Sequence, residues 1–381
     1  MNFAQLALIC LVAILGPLLR LSRGVHAPVV IGELLVGLAL GVTGLGILHT
    51  GDPTFSFLAE IGFGLVMFVA GTHVPLRDPG LRSGARTGLL RAVGIGILSV
   101  PVGLGLAHAF GTGHGLLYAV LLTSSSASIV MPALSGMPLS APSLVAMLPQ
   151  LAIADAVCIV LLPLAIDSSH APRAALGALT VIVAGAGAYL LLRWLESSGW
   201  RRLVHEVSEE RGLALELRVS LTLLFGLAAL ASVGHISIML AGFTMGLAYA
   251  GVGPPRRLAK QLFALTEGFF GPIFFVWLGA SLNLRDLAAH PSAIALGLAL
   301  GACAVVLHAL PVLSRQPWPV AVATSAQLGV PVGAATLGAS LGVLAPGEGT
   351  ALLLGALVTV AAVAVCSGPL SAIAWEGAQE S

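Results

Sequence analysis

Apolar runs of roughly 17 to 25 residues follow one another along almost the whole chain, and a run of that length crosses the hydrocarbon of a bilayer as a helix. They lie near residues 3–19, 28–48, 57–75, 92–110, 116–134, 142–166, 174–192, 217–232, 236–251, 262–282, 292–313, 318–343 and 350–374, which makes thirteen. The eighth and ninth are divided only by Val233, Gly234 and His235. Lipid offers no partner to backbone polar groups, so spans of this kind must be helices, and the reading is an all-α integral membrane protein. Composition agrees: 57% of the side chains are hydrophobic and 9% charged, against about 25% charged in a soluble domain. The first run follows Met1 without a basic leader and has no small-residue cleavage site after it, so it reads as a retained helix.

Basic residues test the count independently, because cytoplasmic loops hold the excess of Lys and Arg. With the N-terminus outside, the inside loops take Arg20, Arg23, Arg77, Arg82, Arg86, Arg91, Arg193, Arg201, Arg202, Arg211, Arg218, Arg256, Arg257, Lys260 and Arg315. Of the 17 basic residues only Arg173 and Arg285 then fall outside. The expected placement is a multi-pass cell-membrane protein with its C-terminus in the cytoplasm. Cys10, Cys158, Cys303 and Cys366 all sit inside apolar runs with no metal or redox spacing, and read as small packing residues.

An odd number of spans permits a particular symmetry. Runs 1 to 6 start from outside and runs 8 to 13 from inside, so residues 1–166 and 217–374 can be inverted repeats. Residues 167–216 then supply a linking helix and loop, all within one transporter domain. Such repeats carry discontinuous helices that cross at the midplane, and runs 5 and 12 hold corresponding places. Run 5 contains Thr123, Ser124, Ser125, Ser126 and Ser128, followed by Pro132. A lone Ser bonds to its own helix and eases packing. The cluster points instead to an unwound stretch whose hydroxyls offer oxygen ligands to a hard cation. Run 12 holds Thr324, Ser325, Gln327, Gly329, Pro331 and Gly333, polar groups just ahead of glycine and proline.

Asp155 is the only charged residue in the run from Pro142 to Ile166 and lies near its middle. A carboxylate at that depth costs about 2.5 to 3.5 kcal/mol on insertion scales, so it marks a working residue. Protons and metal ions compete for such a group. If it faces one side of the membrane at a time, that competition is exchange.

The chain resembles the cation:proton antiporters of the second large family, which includes Kef-type potassium and NapA-type sodium/proton exchangers. The strings that carry the resemblance stand in family order. They are Pro28 to Gly41 with Glu33, Leu58 to Gly71 with Glu60, the hydroxyl run of segment 5, and Phe269 to Leu282. The resemblance implies the sodium/proton antiporter fold and secondary active exchange of sodium or potassium for protons. It also implies a homodimer formed through the first helices, and it places Asp155 at the ion-carrying aspartate. Ala154 stands where members usually have Asp, Asn or Gln, which implies electroneutral exchange. His308 stands where many carry Lys, as a pH-responsive partner for Asp155. Gln327 stands where Kef-type members often have an acid.

Glu33, Glu60 and Glu267 are possible secondary acids near helix ends, whereas Asp52, Asp167, Glu348 and the acids of Glu206 to Glu216 read as solvated loop charges. No Walker motif, dinucleotide fingerprint or metal-spaced cluster is present, so no cofactor, nucleic acid partner or direct ATP drive is expected. With Ser381 closely following the last apolar run, no nucleotide-binding regulatory domain is expected within these residues. Because fold does not fix function, two rivals stand beside exchange: a porter of an organic solute, and an intramembrane acid/base enzyme using Asp155 with His308.

Overall fold

The computed structural model describes residues 1–15, 29–74, 79–134, 137–138, 141–166, 171–199, 207–208, 211, 213–234, 236–253 and 256–379. Among them the regular structure is helical, with no strand. In chain order the helices are α1 (Phe3–Ala13), α2 (Val29–Leu40), α3 (Pro53–Thr72), α4 (Pro79–Phe110), α5 (Gly115–Thr123), α6 (Ala127–Ala133), α7 (Pro142–Ile166), α8 (Ala171–Ser197) and α9 (Leu215–Val233). There follow α10 (Ile238–Val252), α11 (Arg256–Leu265), α12 (Gly271–Ser281), α13 (Leu284–Ala289), α14 (Pro291–Ala309), α15 (Trp318–Ala323), α16 (Gly329–Leu341) and α17 (Glu348–Gln379). A π turn, Thr266–Phe270, joins α11 to α12.

Eight of these stretches are long and apolar enough to cross a bilayer alone. Beside them stand shorter helices, α1, α2 and α10, and two pairs of half-helices, α5 with α6 and α15 with α16. Each of the thirteen apolar runs read from the sequence thus holds at least one helix among the described residues. The close eighth and ninth runs are separate helices, α9 ending at Val233 and α10 starting at Ile238 behind its N-cap Ser237. Several inside-loop residues used in the charge argument, Arg20, Arg23, Arg77, Arg201 and Arg202, lie outside the described residues, as do Asp167 and Glu206.

Two bodies emerge from the packing. In one, α10 lies along α3 and α12 along α2 and α3. In the other, α4 packs on α5 and α7, and α14 and α15 pack on α17. Helix α8 touches α7 on one side and α9 and α10 on the other, so it bridges them. Within a membrane, helices associate by close packing rather than by a hydrophobic drive, which favours small residues at contacts. A Cβ at Gly242 would fall 2.2 Å from the Gly64 carbonyl oxygen, and one at Gly37 2.2 Å from that of Val276. Hydrogen in place of a side chain is what lets α10 meet α3 and α2 meet α12 at backbone contact.

One expectation fails at Glu348. Glu348, in the first turn of α17, is 1% exposed and not a solvated loop charge. Tyr118 donates its hydroxyl to Glu348 Oε1 at 2.6 Å, His114 Nδ1 lies 2.8 Å from the same oxygen, and the Ala345 N–H donates to Oε2 at 2.7 Å. Its partners come from the N-terminal end of α5, so this carboxylate ties the first broken helix to α17. Glu216, in the first turn of α9, is likewise buried.

Candidate functional site

Both candidate breaks are present. Helix α5 stops at Thr123 and α6 begins at Ala127, with Ser124 in an extended conformation at the end of the first half. Pro132 does not make the break; it lies inside α6, and its ring and the Ser128 side chain are outside the described residues. Further along the chain α15 stops at Ala323 and α16 begins at Gly329, leaving Thr324 to Leu328 between them. Gly329 and Pro331 occupy the first turn of α16. Proline is tolerated there because its missing N–H would have no intrahelical acceptor.

An unwound segment away from water must find partners for its backbone groups. Here the two breaks supply one another. Ser125 Oγ donates to the Thr324 carbonyl at 2.7 Å, and Gln327 Nε2 donates to the Leu121 carbonyl at 2.7 Å. The Leu122 carbonyl faces His308 Nε2 at 3.2 Å, while the Gln327 N–H donates to Thr359 Oγ1 of α17 at 3.1 Å. Ser124, Ser125, Ser126, Gln327 and His308 are all nearly inaccessible to solvent.

Asp155 reaches this crossing from α7. It lies mid-helix between Pro149 and Pro163, is 4% exposed, and accepts the backbone N–H of Ala127, the residue with which α6 begins. The carboxylate and the first break are thus in direct contact. Its neighbour Ala154 lines an apolar cleft of about 380 Å³ between α4, α5 and α7, together with Thr123 and Cys158.

The hydroxyls divide. Thr123 Oγ1 donates to Ala119 at 2.8 Å and Ser124 Oγ to Leu121 at 2.8 Å, each back into its own helix, while Ser125 spans the crossing. Ser126, 2% exposed, lies in the break beside Ala127. A hydroxyl that has given its hydrogen to a carbonyl keeps lone pairs for a cation. His308 is occupied at both ring nitrogens, Nε2 by Leu122 and Nδ1 by Thr324 Oγ1 at 3.0 Å, so its immediate neighbours belong to the crossing. Glu33 is 5% exposed with Glu267 as its charged neighbour, while Glu267 and Glu60 are exposed. All three belong to the body built on α2, α3 and α12, away from Asp155.

Gln150 was missed from sequence, and Thr324 was read only as one of the polar groups ahead of the second break. Gln150, 0% exposed, donates from Nε2 to Thr324 Oγ1 at 3.2 Å, and its Oε1 has no partner among the described residues. Thr324, also 0% exposed, is a shared contact of Gln150, Ser125 and His308. The available signal for Gln150 was an uncharged polar residue inside the same apolar run as Asp155.

Comparison with known proteins places this architecture. The family model described as "Sodium/hydrogen exchanger, transmembrane" matches residues 9–372. The chain is similar to YjbQ of Bacillus subtilis (strain 168), a candidate Na(+)/H(+) antiporter, at 24% identity over 96% of this chain and 62% of that protein. It thus spans less than two thirds of that relative's length. It is also similar to a Na(+)/H(+) antiporter of Enterococcus hirae, at 25% identity over 71% of this chain and 70% of the relative. Among solved structures, the sodium proton antiporter MjNhaP1 from Methanocaldococcus jannaschii at pH 8 superposes with a TM-score of 0.64. The match covers 97% of each chain at 16% identity, which establishes a shared fold.

Proposed function

The chain belongs to the sodium/hydrogen exchanger family, and from that membership we propose that it is a secondary active antiporter exchanging sodium for protons. The observation that carries the reading is the contact of Asp155, a mid-membrane carboxylate, with the Ala127 N–H where two broken helices cross. Sodium is favoured over potassium because one named relative is a Na(+)/H(+) antiporter and the other a candidate one. The organic-solute and enzyme readings have no counterpart among these relatives.

Asp155 is the carboxylate that protons and sodium share. Ser126 and Ser128 with the lone pairs of Thr123, Ser124 and Ser125 complete the oxygen set, and backbone carbonyls of the break add to it. A bound sodium must leave before the carboxylate takes a proton, so one site facing each side in turn couples the two gradients. The body carrying α5 to α7 and α14 to α17 moves against the one built on α2, α3, α10 and α12. With Ala154 in place of a second polar group, one carboxylate carries the cycle and the exchange is electroneutral.

The same reading takes 1–166 and 217–374 as the inverted repeats, a cell-membrane location with the N-terminus outside, and a homodimer through the first helices. Phe3 and Leu11 of α1, 90% and 64% exposed, support a lipid- or partner-facing first helix. Purified protein in liposomes carrying a trapped pH indicator tests the substrate. Sodium should collapse an imposed pH gradient and potassium should do so weakly, without dependence on membrane potential. Cation-independent behaviour would refute the proposal.

A further inference from the structure

Thr324 has both of its oxygens engaged by other elements. Its carbonyl accepts Ser125 Oγ at 2.7 Å, from the break two residues before Ala127. Its hydroxyl oxygen lies 2.7 Å from the Ala321 carbonyl, 3.0 Å from His308 Nδ1 and 3.2 Å from Gln150 Nε2. Gln150 stands five residues before Asp155 on the same helix. Both members of the Asp155–Ala127 contact are therefore tethered, through nearby residues of their own segments, to one residue of the opposite broken helix.

Three neighbours draw on this one hydroxyl: Gln150 donates to it, and in a neutral ring with its hydrogen on Nε2, His308 Nδ1 competes with the Ala321 carbonyl for its single hydrogen. A threonine hydroxyl has one hydrogen and two acceptor lone pairs. The Gln150 amide N–H donates, the Ala321 carbonyl only accepts, and His308 Nδ1 is able to do either. His308 Nε2 faces the Leu122 carbonyl, which only accepts, so Nε2 carries a hydrogen. Removing the Thr324 hydroxyl would take from Gln150 the partner of its Nε2, where its Oε1 has none among the described residues, and would empty His308 Nδ1 as well.

We propose that Thr324 is a positioning residue for the exchange, holding the Asp155 helix and the α5–α6 break in the register at which the carboxylate meets Ala127. It touches neither the proton nor the cation; it acts through Gln150 and Ser125. The role rests on the antiport reading. Losing it loosens the oxygen set around sodium, so binding weakens while the moving bodies, and hence turnover, are little affected.

The test compares wild type, Thr324→Ser and Thr324→Val in proteoliposomes, recording sodium-driven proton flux against sodium concentration, with thermal melts to confirm folding. Thr324→Ser keeps the hydroxyl and should stay within about threefold of wild type in KM and kcat. Thr324→Val should raise the apparent sodium KM about tenfold or more with kcat within about threefold. A folded Thr324→Val with wild-type KM overturns the proposal, as does a Thr324→Ser as impaired as Thr324→Val. If Thr324→Val does not fold, Gln150→Leu removes one tether from the far side, at a residue outside the proposed oxygen set. A raised sodium KM supports the role, and an unchanged KM overturns it. Wild-type liposomes without sodium-driven flux would refute the antiport reading and this role together, whereas exchange insensitive to Thr324→Val removes the positioning role alone.

Discussion

The backbone N–H of Ala127 donates to the carboxylate of Asp155, joining the middle of an unbroken helix to the first residue after a break in another. A proton and a sodium ion competing at that carboxylate make the apparent sodium KM fall as pH rises, towards a plateau once the proton no longer competes. Initial rates in proteoliposomes at a series of pH values measure this. A sodium KM indifferent to pH would mean that the two ions do not share the site.

Gln327 holds the Leu121 carbonyl across the crossing while its own N–H is held by Thr359. Gln327→Leu removes the first bond and leaves the second, while Ser124 still donates to the Leu121 carbonyl from its N–H and its hydroxyl. Its cost should be about 0.5 to 1.5 kcal/mol, the net worth of one hydrogen bond, seen as a lower melting temperature in detergent. An unchanged melt would show that the bond across the crossing adds nothing to stability.

At the start of α17, Glu348 depends on Tyr118 and His114. Tyr118→Phe removes one hydrogen bond to a buried carboxylate and should destabilise by about 1.5 to 3 kcal/mol. Because α5 is anchored there, the variant should also expose its N-terminal end to faster hydrogen exchange. Wild-type exchange at residues 115–123 would contradict the anchoring.

Close helix contact gives the sharpest contrast between neighbouring substitutions. Gly242→Leu places a side chain against the Gly64 backbone and should prevent α10 from packing on α3, leaving little monodisperse protein. A Cβ at Gly105 meets nothing within 4 Å, so Gly105→Ala should purify and melt like wild type. Size-exclusion profiles of the two variants decide the matter.

How much of this was readable in the chain depends on how local each cause is. The helices in all thirteen runs follow from run length, and the break after Thr123 from five hydroxyls in six positions, both properties of contiguous residues. Pro132 looked like part of that break but lies inside α6, because the Ser124 to Ser126 segment had already interrupted the helix. Glu348 was misread for the opposite reason. Beside Pro346 and Gly347 it looks like a loop charge, and its partners His114 and Tyr118 are 234 and 230 residues away in sequence. The Gln150–Thr324 tether, across 174 residues, was hidden in the same way. The π turn at Thr266–Phe270 left no sequence signal that hydropathy registers.

The central claim is that Asp155 is the carboxylate shared by sodium and protons, and Asp155→Asn in proteoliposomes tests it most directly. The amide keeps the size of the side chain and an oxygen to accept the Ala127 N–H, so the fold should survive. Sodium-dependent proton flux should disappear, by a factor of about 100 or more, at every pH tested. Retention of wild-type flux by the folded variant would contradict the account.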